Sequence, residues 1–369
     1  MKNTFNGVFR GMNVLVTGHT GFKGSWLSIW LNELGANVIG YALEPPTNPN
    51  NFSLSKVKER ITDVRGDVRD FKMLNETIKK YKPSVIFHLA AQPLVLKSFE
   101  LPKETFDVNF GGTVNVLESV RQNPLVRALV CITSDKCYED RGWSHGYREN
   151  DRLGGHDPYS ASKGAAELAI SSYRSSFFSS GTAVASARAG NVIGGGDFAE
   201  YRLVPDCMKA LMKNEPIKVR NPKSIRPWQT LFEPLSGYLT LASKLLNSKN
   251  EFSEGWNFGP PERKGITAEQ IVKKVIVLWG SGTHQIIGNQ NDKVKETEML
   301  RLNWDKAAAH LDWMPVYNWE ESMNQTVRWF KVYEKSLRDE EIDMYPTCVS
   351  HLNDYTKKAK ELGVVWAIS

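Results

Sequence analysis

The chain has little of what marks a secreted, metal-binding or membrane protein. Its 369 residues hold four scattered cysteines, Cys131, Cys137, Cys207 and Cys348, and no CxxC pair. Unpaired cysteines in apolar runs read as free core thiols in a reducing cytoplasm. Lys2, Asn3, Asn6 and Arg10 interrupt the start of the chain, so no signal-peptide apolar region is expected there. No uncharged apolar run approaches the ~20 residues of a membrane span. The histidines form no HxxxH or Cys/His cluster, and no metal site is expected. Basic residues outnumber acidic ones only 47 to 41, which excludes the dense basic face of a nucleic-acid binder. Internal repeats and low-complexity tracts are absent.

What is present is an ordinary globular composition, 41% hydrophobic, over a length that suggests about two domains. Short apolar runs at Met12–Thr17, Asn37–Leu43, Ser84–Ala90, Ala128–Thr133 and Thr182–Arg188 predict buried strands. Between them, 3–4 spacing predicts helices over Ser25–Leu34, Glu104–Arg121 and Ser160–Phe177, the first ended by Gly35. Strands alternating with helices imply an α/β fold, a Rossmann-like doubly wound parallel sheet. The second half is less regular. It predicts helices over Pro205–Lys213, Pro234–Leu246, Ala268–Trp279 and Glu320–Tyr333 and a short strand at Trp256–Phe258. We expect 1–187 plus about 229–258 to form the sheet domain. Residues of about 188–228 plus 259–369 would form a smaller C-terminal α/β substrate-binding domain over its carboxyl edge.

Two motifs carry chemistry. Gly18, His19, Thr20, Gly21, Phe22, Lys23 and Gly24 follow the first strand and open the first helix. Glycines there let the backbone approach a pyrophosphate, which the helix N-terminus then binds. Glu44 is a candidate ribose contact, although it lies just before Pro45-Pro46 and Ala42 holds the strand-end position; the Asp67-Val68 turn is a candidate adenine contact, with a solvated turn as the alternative. In Tyr159-Ser160-Ala161-Ser162-Lys163, Tyr and Lys at i and i+4 share a helix face. A phenol ordinarily titrates near ~10. A neighbouring ammonium and a cationic nicotinamide favour its ionised form, which can take a proton from an alcohol. Ser134, at the end of a strand, can bond the same hydroxyl. His88 reads as a satisfied core histidine.

The order TGxxGxxG, HLAAQ, TSDK, YSASK and ARAGNVIGGGD resembles the extended short-chain dehydrogenase/reductases that act on nucleotide sugars, and among them the CDP-glucose 4,6-dehydratases. The resemblance runs from about Met12 to Pro315 and is thinnest in the last ~35 residues. It implies a hydro-lyase in which NAD oxidises C4, water leaves across C5 and C6, and hydride returns to C6, giving CDP-4-keto-6-deoxy-D-glucose. Besides the glycine loop, Tyr159 and Lys163, it assigns Leu89, Ala90, Ala91, Gln92, Asn109 and Thr133 to the cofactor. Ser134, Arg188, Asn191, Val192, Arg202, Arg226 and Trp228 fall to the substrate; packing is the other reading of Trp228. Asp135 is the implied acid at C6 and Lys136 the implied base at C5, where most sugar-nucleotide dehydratases have Glu; an electrostatic anchor is the alternative for Lys136. Thr230 stands where His is usual. The loop Asp140–Asp157 is either a lid or an ordinary surface loop. Homodimers or homotetramers pairing through two helices, and deoxyhexose supply for lipopolysaccharide O-antigen, are also implied. A nucleotide-sugar 4-epimerase, a dTDP- or UDP-glucose dehydratase and a non-catalytic cofactor scaffold are the competing readings.

Overall fold

The computed structural model describes residues 1–143, 145–262, 265–288 and 300–368, with 249 and 250 described by backbone alone. Seven strands form the central sheet: β1 (Asn13–Thr17), β2 (Asn37–Ala42), β3 (Thr62–Arg65), β4 (Val85–His88), β5 (Ala128–Ile132), β6 (Ala183–Ala189) and β7 (Gly255–Phe258). Their order is β7-β6-β5-β4-β1-β2-β3, and every pairing is parallel. β4, β5 and β6 are buried along their whole length, which is why they read as continuous apolar runs rather than alternating ones.

Period-two geometry sends alternate side chains to two cores. Val14 and Val16 meet the first face, with Trp26 and Trp30 of α1 (Phe22–Glu33). Leu15 and Leu129 meet the second, with α2 (Phe71–Tyr81), α3 (Gly112–Arg121) and α4 (Pro158–Phe177). The first core continues without a break into α5 (Leu203–Met212), α6 (Phe232–Ser248), α7 (Ala268–Trp279) and α8 (Trp319–Ser336). Three short strand pairs knit the cap: 192–193 with 229–230, 225–226 with 266–267, and 217–219 with 284–286. All four cysteines are buried and unpaired with one another.

The structure departs from the pattern reading in several places. β3 and α2 form between β2 and β4, where no element was expected. The single helix expected over Glu104–Arg121 is broken into Pro102–Phe106, a wide π turn at Asp107–Gly111, and α3. The turn swings Asn109 inward, where its amide bonds both backbone groups of Gln92. Finally, α9 (Tyr345–Glu361) folds back on α1. Asn32 donates to the Tyr345 hydroxyl at 2.7 Å, and Tyr355 meets Trp30 edge to face at 5.9 Å. Trp366 stacks on Phe5 at 4.9 Å, closing the C-terminal segment onto the sheet layer.

Candidate active site

The strand order reverses direction between β1 and β4, the place where open parallel sheets leave a crevice. Thr17 and His88 face each other across that gap, 2.8 Å apart through Oγ1 and Nδ1. His88 Nε2 meets Thr113 Oγ1 at 3.1 Å, and burial pushes the ring down to about 3. His88 is thus the satisfied core histidine expected. Its place is structural: it ties β1, β4 and α3 together beneath the crevice.

The glycine loop lies over this point. Gly18 has φ +74, and a Cβ there would stand 2.7 Å from the Ala90 nitrogen. A Cβ on Gly24 would stand 2.1 Å from the Gly18 oxygen. Only glycines let the loop, the Leu89–Gln92 segment and the start of α1 converge. Gly21 caps α1, and no side chain covers its first N–H groups. Such an end offers donors and a positive dipole to an anion, so it fits a dinucleotide pyrophosphate. His19 turns away from the crevice, with Nε2 2.7 Å from Asp63 Oδ1 on β3. Asp63 also pairs with Arg65 at 3.0 Å. Glu44 is solvated and pairs weakly with Arg65 at 3.4 Å. The Asp67 carboxylate is paired with Arg69, and Val68 packs inward beside α3, offering its carbonyl to Asn115.

The candidate reactive groups collect at the carboxyl end of β5 and the start of α4. Ser134 caps a 3-10 turn over Asp135–Cys137, accepting the Lys136 N–H at 3.2 Å and donating to Asp135 Oδ1 at 2.9 Å. Asp135 is 7% exposed, and burial raises its carboxyl against the opposing pull of Lys136, Ser134 and Lys23. A Cβ at Gly190 would stand 3.0 Å from Asp135 Oδ2, so a glycine keeps that side open. Asp157 caps α4, with Pro158 in its first turn, and this sets Tyr159 at the head of the helix.

The buried Tyr159 phenol is pushed up to about 12, with the Ser134 hydrogen bond opposing. The polypeptide alone therefore keeps it neutral, and ionisation was expected from Lys163 and a cationic ring. Lys163 donates to the Ile132 carbonyl at 3.5 Å; burial pushes it down to about 8, with Glu167 opposing. Lys23 reaches this cluster from α1, pushed down to about 8 by burial, then by Arg202 and Lys163. Arg202 is held by Asp197 at 3.0 Å. Lys136 is half-buried.

Some expected contacts turn elsewhere. Arg188 does not face the crevice: it is buried in an ion pair with Glu167 at 2.7 Å, because β6 is covered on both faces and its side chain needs an anion. Breaking such a pair costs ~3–5 kcal/mol. Trp228 is buried too, donating to the Ile266 carbonyl at 3.1 Å, so packing accounts for it. The Asn109 amide is engaged with Gln92 and, at 3.0 Å, with Ser162, so both of its side-chain N–H donors are taken. Asn191 and Val192 remain accessible beside β6, and Arg226 is half-buried in a short strand. The Asp140–Asp157 loop is fastened, apart from Ser144, which lies outside the described residues. Tyr147 exchanges backbone bonds with Arg301 and Asn303 at 2.7 and 2.8 Å and stacks on Tyr138. Sequence reasoning overlooked Glu167, although its place one turn past Lys163 was a visible signal. Among the described residues no group of acids, cysteines and histidines is placed to hold a metal. No described helix is long and apolar enough to cross a membrane.

The family model described as GDP-mannose 4,6 dehydratase matches residues 15–326. CDP-glucose 4,6-dehydratase of Salmonella typhimurium is 46% identical over 353 residues, 94% of this chain and 97% of that one. The chain belongs to the GDP-mannose 4,6 dehydratase family, within the extended short-chain dehydrogenase/reductases. Solved structures share its fold. An epimerase of Methanothermobacter thermautotrophicus aligns with TM-score 0.77 and 24% identity over 90% of this chain and 96% of its own. dTDP-glucose 4,6-dehydratase of Bacillus anthracis, in complex with NAD, aligns with TM-score 0.72 and 22% identity over 88% and 98%.

Proposed function

We propose that this protein converts CDP-D-glucose to CDP-4-keto-6-deoxy-D-glucose and water, with NAD as a resident cofactor. The observation that carries this reading is the convergence of Ser134, Asp135 and Tyr159 beside the glycine loop, in a chain 46% identical to a CDP-glucose 4,6-dehydratase.

Gly18–Gly24 and the uncapped start of α1 would hold the pyrophosphate, and Lys163 the nicotinamide side. When bound, NAD would supply the hydride acceptor at C4 and the hydride donor at C6. Ser134 holds the C4 oxygen while Tyr159 removes its proton, leaving a ketone. That ketone acidifies C5–H, and Lys136 takes the C5 proton. Asp135 gives its proton to the C6 hydroxyl as the C6–O bond breaks, so water leaves and a C5–C6 double bond forms. Lys136 then returns a proton to C5. The proton gained by Tyr159 and the one lost by Asp135 balance through solvent. Arg202 and Arg226 are the fork donors we assign to the substrate diphosphate, with Asn191 and Val192 beside them.

We divide the chain into 1–187 plus about 229–258 as the cofactor domain and about 188–228 plus 259–369 as the sugar-nucleotide-binding domain, whose last helices from Tyr345 pack back against α1. Exposed Phe99, Phe106 and Phe110, with Leu168 and Phe177 on neighbouring α4, favour pairing of two copies, as a homodimer or within a homotetramer. We place the enzyme in the cytoplasm, supplying deoxyhexose for lipopolysaccharide O-antigen. Substrate deuterated at C4 tests the mechanism: the label should appear at C6 of the product. Label retained at C4 would indicate an epimerase.

A further inference from the structure

Glu167 takes no part in the reaction described above, yet three elements of the site converge on it. It lies four residues past Lys163 on α4, so Tyr159, Lys163 and Glu167 succeed one another along one helix face. Its Oε1 accepts the hydroxyl of Thr133, the residue before Ser134. Its Oε2 accepts Ser186 Oγ and Arg188 Nη2, both at 2.7 Å and both from β6. Arg188 Nη1 carries the network outward, to the Tyr138 hydroxyl at 2.6 Å and the Glu149 carbonyl at 2.9 Å. These two lie on the chain that runs from the Ser134 turn to Tyr159. The pair is 6% and 3% exposed. A Cβ at Gly255 would stand 2.6 Å from Arg188 Nη2, so β7 is cut back to admit the guanidinium.

A buried ion pair is a weak source of stability, because apolar residues of equal volume do as well. It is a strong source of direction, since each bond fixes an angle as well as a distance. We propose that Glu167 is a positioning residue, which fixes the strand end bearing Ser134 against the helix bearing Tyr159 and Lys163. It also sets the charge between them. Burial would raise the Glu167 carboxyl, but Arg188 and the hydroxyl bonds outweigh burial and keep it ionised. Lys163 is faced by Glu167 on its own helix, by Cys131 on β5, Cys137 in the turn and His88 on β4, and by Lys23 at the start of α1. Glu167 is the foremost group holding a proton on Lys163 against burial.

This inference rests on the dehydratase reading, and the test separates the two. Glu167→Gln keeps the shape and removes the charge; Glu167→Asp keeps the charge. With NAD and CDP-glucose, the folded Gln variant should lose roughly 10²-fold in kcat with little change in KM. The basic limb of its pH profile should move to lower pH by about one unit. The Asp variant should return the limb toward its wild-type place. Amide hydrogen exchange over residues 130–140 should quicken in the Gln variant. An unmoved limb in a folded Glu167→Gln protein overturns the proposal. Should the wild type fail to convert CDP-glucose, the dehydratase reading fails, and unchanged exchange over 130–140 would then overturn the positioning role on its own.

Discussion

The Ser134 hydroxyl donates to Asp135 Oδ1 at 2.9 Å while the same oxygen accepts the Lys136 N–H at 3.2 Å. Three consecutive residues thus hold one another in a turn at the end of β5. Their proposed roles differ: Ser134 orients the C4 oxygen, Asp135 donates a proton at C6, and Lys136 accepts one at C5. Asp135→Asn removes the acid alone. It should lower product formation on the order of 10²–10⁴-fold. CDP-glucose recovered from deuterated water should still carry label at C5, because Lys136 remains. Lys136→Ala should lose both product and C5 label. Undiminished washout at C5 in Lys136→Ala would remove the base role and leave Lys136 as an electrostatic anchor.

Tyr159 should be indispensable and slow to ionise without help. Burial pushes its phenol up to about 12, so near neutrality the polypeptide alone keeps it protonated. Tyr159→Phe should lower kcat on the order of 10²–10⁴-fold and leave the CDP-glucose dissociation constant nearly unchanged. Calorimetric titration beside steady-state rates separates the two effects. Wild-type turnover by the Phe variant would exclude Tyr159 as the base.

Two glycines of the same loop should respond unequally. An added Cβ would stand 2.1 Å from the Gly18 oxygen at Gly24 but 3.3 Å from it at Gly21. Gly24→Ala should abolish NAD binding measured by calorimetry, because backbone must move to admit the methyl. Gly21→Ala should weaken it far less.

Glu233 should make stability depend on pH. Its carboxyl is buried, accepts the Val316 and Tyr317 N–H groups at 3.0 and 2.8 Å, and accepts the Tyr355 hydroxyl at 2.7 Å. Burial raises it from 4.5 to about 7, with those bonds opposing. The folded state then binds more protons than the unfolded state between the two values. This contribution to stability is full below 4.5 and is lost as pH rises through about 7. Glu233→Gln should flatten that slope in urea titrations taken across the window. An unchanged slope would show that the carboxyl does not titrate there.

Legibility followed burial and period. β1, β4 and β5 were plain because two-sided burial makes them short apolar runs, and α1 because Gly35 stops its stripe. β3 was hidden: it is a four-residue edge strand, Thr62–Arg65, with Asp63 and Arg65 serving the glycine loop's His19 rather than a core. α9 was hidden because its buried face mixes Cys348, His351, Leu352, Tyr355 and Ala359 with solvated lysines. In the site, residues whose placement is set by local backbone were readable, as in the glycine loop before α1 and the Tyr159–Lys163 pair on α4. Arg188 was not, since the direction of a side chain on a doubly covered strand depends on where its counterion lies. That counterion, Glu167, is 21 residues away in sequence. Trp228 and Asn109 went the same way, their polar atoms taken by Ile266 and by Gln92 with Ser162.

The purified protein, supplied with NAD, should be incubated separately with CDP-, dTDP- and UDP-glucose, and the products followed by the alkaline absorbance of the 4-keto sugar and by mass. CDP-glucose should lose one water, with CDP-4-keto-6-deoxyglucose as product, and the other two should turn over much more slowly. CDP-galactose as the product, no reaction at all, or equal turnover of dTDP-glucose would contradict the proposed function.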